Sequence, residues 1–198
     1  MVAIMLKPLA YNLLDIKASL GNLPDPVLKP ALIIVCGLPG TGKSYLSRKL
    51  AERILACIIE TDAIRKLLWE KPVYNAEESA LLFKICHQLI FELLKQGITV
   101  IFDATNLIEY HRERLYNIGE KTNAKIVVVT TRAPEQVIKK RLDARKYQVA
   151  ETEKSDADWS IYETMKPGVQ MIGRNFISAD TSGNITEVID KIIRVISK

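Results

Sequence analysis

The apolar run Ala31 to Cys36 passes directly into Gly37-Leu38-Pro39-Gly40-Thr41-Gly42-Lys43-Ser44, and that turn opens a helical pattern. A strand, a glycine-rich turn and a helix in immediate succession leave few folds open. Such a turn sits at the C-terminal edge of a parallel sheet, with the helix folded back over one face. Gly37, Gly40 and Gly42 let the backbone take conformations closed to other residues and turn its amides inward. The following helix adds the positive end of its dipole, so the concavity suits an anion carrying several phosphates.

The eight residues match the P-loop pattern in full, with the flanking strand and helix that the pattern requires. Lys43 is expected to lie along the β- and γ-phosphates, and the Ser44 hydroxyl to be a ligand of Mg²⁺. Both roles need a nucleoside triphosphate. ATP with Mg²⁺ is therefore the expected ligand of Gly37, Leu38, Pro39, Gly40, Thr41, Gly42, Lys43, Ser44 and Tyr45.

Beyond this motif, short apolar runs alternate with helical patterns. Ala31 to Cys36, Cys57 to Glu60, Ile98 to Phe102, Lys125 to Thr130 and Phe176 to Ala179 read as five strands. Asn75, with Glu78 three residues on, heads a helix that stops at Gly97. Asn106 reads as the cap of a helix running towards Gly119, and Pro134 as the start of one over Glu135 to Lys146. Ser155 to Asp158 reads as a turn and cap for a helix to about Lys166, and Ile185 to Ile196 as a closing helix. Strands that alternate with helices imply βαβ units, hence an α/β fold whose five-stranded parallel sheet is covered on both faces. Residues 1–30 read as a short helical extension and a proline-punctuated linker, and residues 31–198 as one domain.

The acceptor side of the chemistry is less explicit. Asp62 and Arg65 follow the second strand and share one helical face, where a carboxylate can take a proton from an acceptor hydroxyl and a guanidinium can hold a phosphate. A helix cap and a solvated charge account for the same spacing. Asp103 ends the third strand at the same sheet edge and is the candidate second metal group, orienting the waters of Mg²⁺ or else Arg65; a carboxylate after an apolar strand also reads as a helix cap, and Asn106 reads as one. Arg141 and Arg145, four apart on one helix face, suit a lid over about 133–155 that swings guanidinium groups onto the transferring phosphate; a solvated basic face is the competing reading. Arg132, where that loop begins, is a weaker candidate. His87 and His111 have no partner at triad or metal spacing and read as structural, and Trp69 and Trp159 as packing anchors.

Composition sets outer limits. A chain of 198 residues that is 48% apolar has room for one well-cored domain, and its formal charge of +5 favours an anionic partner without marking a nucleic-acid stripe. Cys36, Cys57 and Cys86 lack metal-type spacing and are odd in number, as expected for small core residues in a reducing cytoplasm. No apolar run approaches the ~20 residues needed to span a bilayer.

Taken together, Gly-Leu-Pro-Gly-Thr-Gly-Lys-Ser at 37–44, Thr-Asp-Ala-Ile-Arg at 61–65, Phe-Asp-Ala-Thr-Asn at 102–106, the Arg141 to Arg145 helix and Ser-Asp-Ala-Asp at 155–158 resemble the polynucleotide-kinase and zeta-toxin-like branch of P-loop kinases, often labelled as an AAA-type ATP-binding domain. The resemblance covers about 31–196. It implies a three-layer α/β/α P-loop NTPase of adenylate-kinase-like architecture with the phosphate-binding strand central, and adenine near 180–183. It also implies Asp62 as general base, Arg65 as acceptor-phosphate or transition-state ligand, and Arg141 or Arg145 as lid arginines. Tyr45 departs from the smaller residue frequent at its position.

The expected activity is transfer of the γ-phosphoryl group of ATP to a hydroxyl, either a polynucleotide 5′ end or a small hydroxylated metabolite. The alternatives are a nucleotide-binding module that hydrolyses ATP without a phosphorylated product and a toxin-like kinase with a neutralising partner.

Overall fold

The structure is a computed structural model that describes residues 13–147 and 157–198; the side chains at 14 and 145–147 also lie outside the described set. Five strands, β1 (Ala31–Cys36), β2 (Cys57–Glu60), β3 (Val100–Asp103), β4 (Lys125–Arg132) and β5 (Phe176–Asp180), form one sheet in the order β2-β3-β1-β4-β5. Every neighbouring pair is parallel. The strand that feeds the P-loop is thus central, and all six of its residues are buried, as a strand covered on both faces must be.

Helices α1 (Leu13–Ser19), α3 (Thr61–Leu68), α4 (Ala76–Lys95) and α5 (Glu109–Lys121) cover one face through a core that includes Ile16, Leu32, Ile34, Leu89, Phe102 and Leu115. The other face packs α2 (Lys43–Ala51) and α8 (Thr186–Ile196) over Ile33, Val35, Ile101 and Val129. Successive residues of β1 therefore serve opposite cores, the period-2 geometry of a strand. A satellite cluster of Ile138, Leu142 and Tyr162 joins α6 (Glu135–Tyr147) to α7 (Trp159–Met165), and Leu38 of the P-loop packs against it.

The strand and helix expectations survive with adjustments at their ends. β3 begins two residues late, because Ile98 donates its amide to Leu93 O to close α4 and Thr99 uses its hydroxyl to accept from Ala31 N. Gly97, at φ 79°, supplies the left-handed residue that this helix end requires. Two local expectations fail. Asn106 does not cap α5: it is buried at φ 47° and donates Nδ2–H to Val35 O at 2.8 Å, tying the end of β3 to β1. Gly119 does not stop α5, which continues to Lys121; its bare Cα lies against Ile126, where an added Cβ would stand 2.5 Å from Cγ1.

Candidate active site

The C-terminal edge of the sheet opens into one cleft of about 1090 Å³. From β1 comes the P-loop, with Gly37, Gly40 and Gly42 at φ 152°, 78° and 88°. Gly42 precedes α2, whose first turn holds no acidic residue and has no side-chain cap, so its amides remain available to phosphate. Lys43 reaches back to donate to Leu38 O at 3.1 Å, which spans the loop with the amine. The floor is tied by hydroxyls. Thr41 and Thr131 share a hydrogen bond at 2.7 Å, and Thr131 donates to Cys36 O at 3.2 Å.

From β2 and β3 come the carboxylates. Asp62 stands in the first turn of α3 and lines the cleft with Lys43 and Ser44. Asp103, 3% exposed at the end of β3, lines the cleft with Ser44, and its Oδ2 has no partner. Burial raises its pKa above the ordinary carboxylate value, opposed by the charge of Lys43 and by the Ser44 hydroxyl. An unpartnered buried carboxylate oxygen beside the P-loop hydroxyl is the donor set expected for a hard divalent cation, so Ser44 and Asp103 fit Mg²⁺. Among the described residues no group of three or more His, Cys, Asp or Glu has metal-binding geometry.

Arg65 lines the same cleft but is not a loose cation. It is 7% exposed, donates Nη1–H to Glu78 Oε2 at 3.1 Å and Nη2–H to Ser79 Oγ at 3.2 Å, and lies 4.7 Å over the Tyr74 ring. The same Glu78 carboxylate accepts from the amides of Val73 and Tyr74. Glu78 at the third residue after the Asn75 cap suggests a reciprocal capping box. Asn75 Oδ1 does accept from Glu78 N at 2.8 Å, but the Glu78 side chain is turned to Arg65 and the 73–74 turn.

Arg141, on α6, is likewise held by bonds within the protein. Its guanidinium donates to Gly40 O at 3.3 Å, to Thr181 Oγ1 at 2.9 Å and to Thr181 O at 2.6 Å. Thr181 in turn donates to Thr41 O at 2.7 Å. Arg141 thus ties the P-loop to the turn after β5. The Arg145 side chain and the lid segment 148–156 lie outside the described residues, as do Ser155 and Asp156; Asp158 caps α7 by accepting from Ile161 N at 3.1 Å. Arg132 is exposed at the end of β4, and its carbonyl accepts from Thr181 N. Tyr45 is 45% exposed and faces the cleft.

Several residues of the site carried no functional signal in the sequence. Thr181, Phe83 and His111 line the cleft, and Glu78 stands behind Arg65, only through the packing of α4, α5 and the β5 turn. Glu78 was visible only as a cap signal, and His111 only as a polar residue in an exposed-looking run. Trp69 and Trp159 are packing residues as expected, the first 2% exposed and the second stacked on Tyr162 at 4.7 Å.

Residues 32–170 match the model of the AAA_33 family, described as an AAA domain. The chain belongs to that family. Among curated proteins it is 34% identical over 115 residues to the L-seryl-tRNA(Sec) kinase of Methanococcus maripaludis, an alignment covering 56% of this chain and 44% of the relative. The chain thus spans less than half the length of that relative. Among solved structures it superposes on the Mycobacterium tuberculosis APS kinase CysC, in a complex with AMPPNP and APS, at a TM-score of 0.64 and 19% identity, over 86% of this chain and 99% of that one. Chaetomium thermophilum Kti12, bound to ADP-AlF3, superposes at 0.63 and 20% identity, over 85% and 100%. These likenesses establish the three-layer P-loop kinase fold for the AAA_33 chain. No helix among its described residues is long and apolar enough to cross a membrane.

Proposed function

We propose that the chain is an ATP- and Mg²⁺-dependent kinase that transfers the γ-phosphoryl group to an acceptor hydroxyl. The observation that carries this reading is the continuity of the cleft. Lys43 and Ser44, where phosphates bind, share one cavity with Asp62 and Arg65, and the cavity extends past them between α4, α5 and α7. A module that only hydrolyses ATP has no need of an arm large enough for a second substrate.

In this reading the acceptor hydroxyl lies between Asp62 and the γ-phosphorus. As its oxygen forms the new P–O bond and the bond to the β-phosphate breaks, Asp62 takes the hydroxyl proton and ADP departs with the electron pair. Lys43 offsets the charge that develops on the transferring group, and the P-loop amides hold the remaining phosphates. Arg65, oriented by Glu78, keeps N–H donors for the acceptor or the transferring phosphoryl group. Mg²⁺ held by Ser44 and Asp103 would supply charge neutralisation of the phosphates. Arg141 fixes the base side of the cleft through Gly40 and Thr181.

The test is transfer of label from γ-labelled ATP in the presence of Mg²⁺ to a panel of hydroxyl acceptors. Lys43→Ala should abolish transfer, whereas Asp62→Asn should keep ATP affinity and slow transfer by roughly 10²–10⁴-fold, the usual range for a lost general base. Full transfer by Asp62→Asn would remove the base from the scheme. Label appearing only as free phosphate with every acceptor would favour an ATPase module.

A further inference from the structure

Asn106, in the turn after β3, lines the cleft and is 2% exposed, yet its Oδ1 is buried without a hydrogen-bond partner. The amide has one orientation, because Val35 O can only accept and so faces Nδ2–H, at 2.8 Å. Oδ1 is therefore the free end, and it can only accept. The backbone around it is held as firmly. Asn106 sits at φ 47°, a left-handed conformation that asparagine tolerates better than most residues. Buried Arg112 donates Nη1–H to Asn106 O and Nη2–H to Gln170 O and Met171 O, while its Nε–H meets the Glu109 carboxylate. One residue before Asn106, Thr105 O accepts from Gly37 N at 3.0 Å, which binds the same turn to the first residue of the P-loop. A buried acceptor left unpaired in so well braced a turn is costly unless a ligand completes it.

The neighbouring orphan says what that ligand is. Asp103, three residues earlier, also has a buried oxygen without a partner, Oδ2. Its Cα pairs with that of Val35, the residue whose carbonyl takes the Asn106 amide, so both residues are anchored at one point of the sheet edge, where β1 runs into the P-loop. Two acceptor oxygens with no donor between them repel each other. A hard divalent cation binds carboxylate and carboxamide oxygens alike and satisfies both. His111 Nδ1 is unpartnered in the same cleft, but an imidazole can move its proton from one nitrogen to the other, whereas a carboxamide oxygen accepts in every state. We propose that Asn106 Oδ1 is a third protein oxygen of the divalent-cation site, beside Ser44 and Asp103, facing the ion directly or across one of its waters. A neutral amide adds an oxygen without adding charge, which suits an ion that enters and leaves with each nucleotide. This rests on the kinase reading and adds a residue to its metal site.

The experiment uses Mn²⁺ as a paramagnetic probe and follows its binding to the protein–ADP complex by loss of the free-ion electron paramagnetic resonance signal. The hold of ADP itself on the ion is common to every variant, so ratios of affinity report the protein. Asn106→Gly suits φ 47° and removes the oxygen, and should weaken Mn²⁺ binding about ten-fold. Asn106→Asp keeps an oxygen and adds a charge, and should tighten binding several-fold. Both variants lose the bond to Val35 O and should unfold at a lower temperature. Metal affinity that rises as stability falls is a result that a residue merely tying two strands together does not produce. A second measurement needs no variant: with asparagine carrying a magnetic carbon isotope at its side-chain carbonyl, the native protein should show a hyperfine coupling to bound Mn²⁺, large for direct coordination and small across a water. Among the described residues Asn106 is the one asparagine that lines the cleft. Mn²⁺ affinity unchanged in both variants, affinity weakened equally in both, or the absence of any carbon coupling overturns the assignment and leaves the kinase reading standing. Unchanged Mn²⁺ affinity with a raised KM for the labelled acceptor also overturns it, and gives Oδ1 to the acceptor hydroxyl. Label from γ-labelled ATP appearing only as free phosphate overturns the kinase reading, and the Mn²⁺ ratios still decide the cation site.

Discussion

Glu78 is a buried carboxylate that holds Arg65 in place, and removing it should unfold the protein earlier as well as disorder the site. The two side chains are 1% and 8% exposed, and the carboxylate accepts from Arg65 Nη1 at 3.1 Å, Val73 N at 3.0 Å and Tyr74 N at 2.8 Å. Glu78→Ala leaves a buried guanidinium without its counter-charge and two backbone amides without an acceptor. Deleting one partner of a buried ion pair costs about 3–5 kcal/mol, because the remaining charge keeps its desolvation penalty and loses its compensation. For a chain of this size that corresponds to a fall in Tm of roughly 10 °C. Urea and thermal unfolding, each followed by two probes, measure it. The double variant Glu78→Leu with Arg65→Met removes both charges and should recover a substantial part of the loss, the Val73 and Tyr74 amides accounting for the remainder. The reasoning fails if Glu78→Ala lies within about 1 kcal/mol of the native protein, or if the double variant is no more stable than the single one.

Other perturbations test other parts of the cleft. In Gly37→Ala the new Cβ would stand 2.4 Å from Thr131 Oγ1 and 2.7 Å from Thr41 Oγ1 at a φ of 152°, so the hydroxyl tie beneath the P-loop must open; ATP affinity by calorimetry should fall at least about ten-fold. Arg141→Lys cannot reproduce a fork that reaches Gly40 O, Thr181 Oγ1 and Thr181 O together, and should raise the KM for ATP about ten-fold; an unchanged KM would detach the clamp from nucleotide binding. Burial, with the Arg114 and His111 charges, lowers the His87 pKa to about 4 from 6.5. The folded state therefore binds this proton less readily than the unfolded chain. The associated stability is complete above about pH 6.5 and is lost as pH falls towards 4, by up to roughly 3 kcal/mol. His87→Leu should flatten the stability-against-pH curve in that window, and an identical slope would rule out His87 as its source.

The fold was legible because its signals are local and repeat. Each strand is a short apolar run, and α4 and α7 are headed by the side-chain caps Asn75 and Asp158, so the positions of β1 and β2 follow from residue types alone. The errors fall where a side chain finds a distant partner instead of a local one. Asn106 has the composition of a cap, yet its amide bonds to Val35 of the central strand, 71 residues away in sequence. Gly119 looks like a stop, but the close approach of Ile126 makes it a packing position inside α5.

The candidate site divides along the same line. The phosphate cradle was fixed by sequence because its chemistry is carried by backbone conformation over eight consecutive residues, and Gly37, Gly40 and Gly42 alone determine where the amides point. The carboxylates Asp62 and Asp103 were placed by the rule that ligands meet the C-terminal ends of parallel strands. Only the tertiary structure decided that Glu78 holds Arg65, that Arg141 clamps the P-loop to Thr181, and that Phe83 and His111 stack into one wall. Each of these depends on which helix faces meet after the chain has crossed the sheet, and a pairwise contact between distant segments has no periodicity for a single sequence to display.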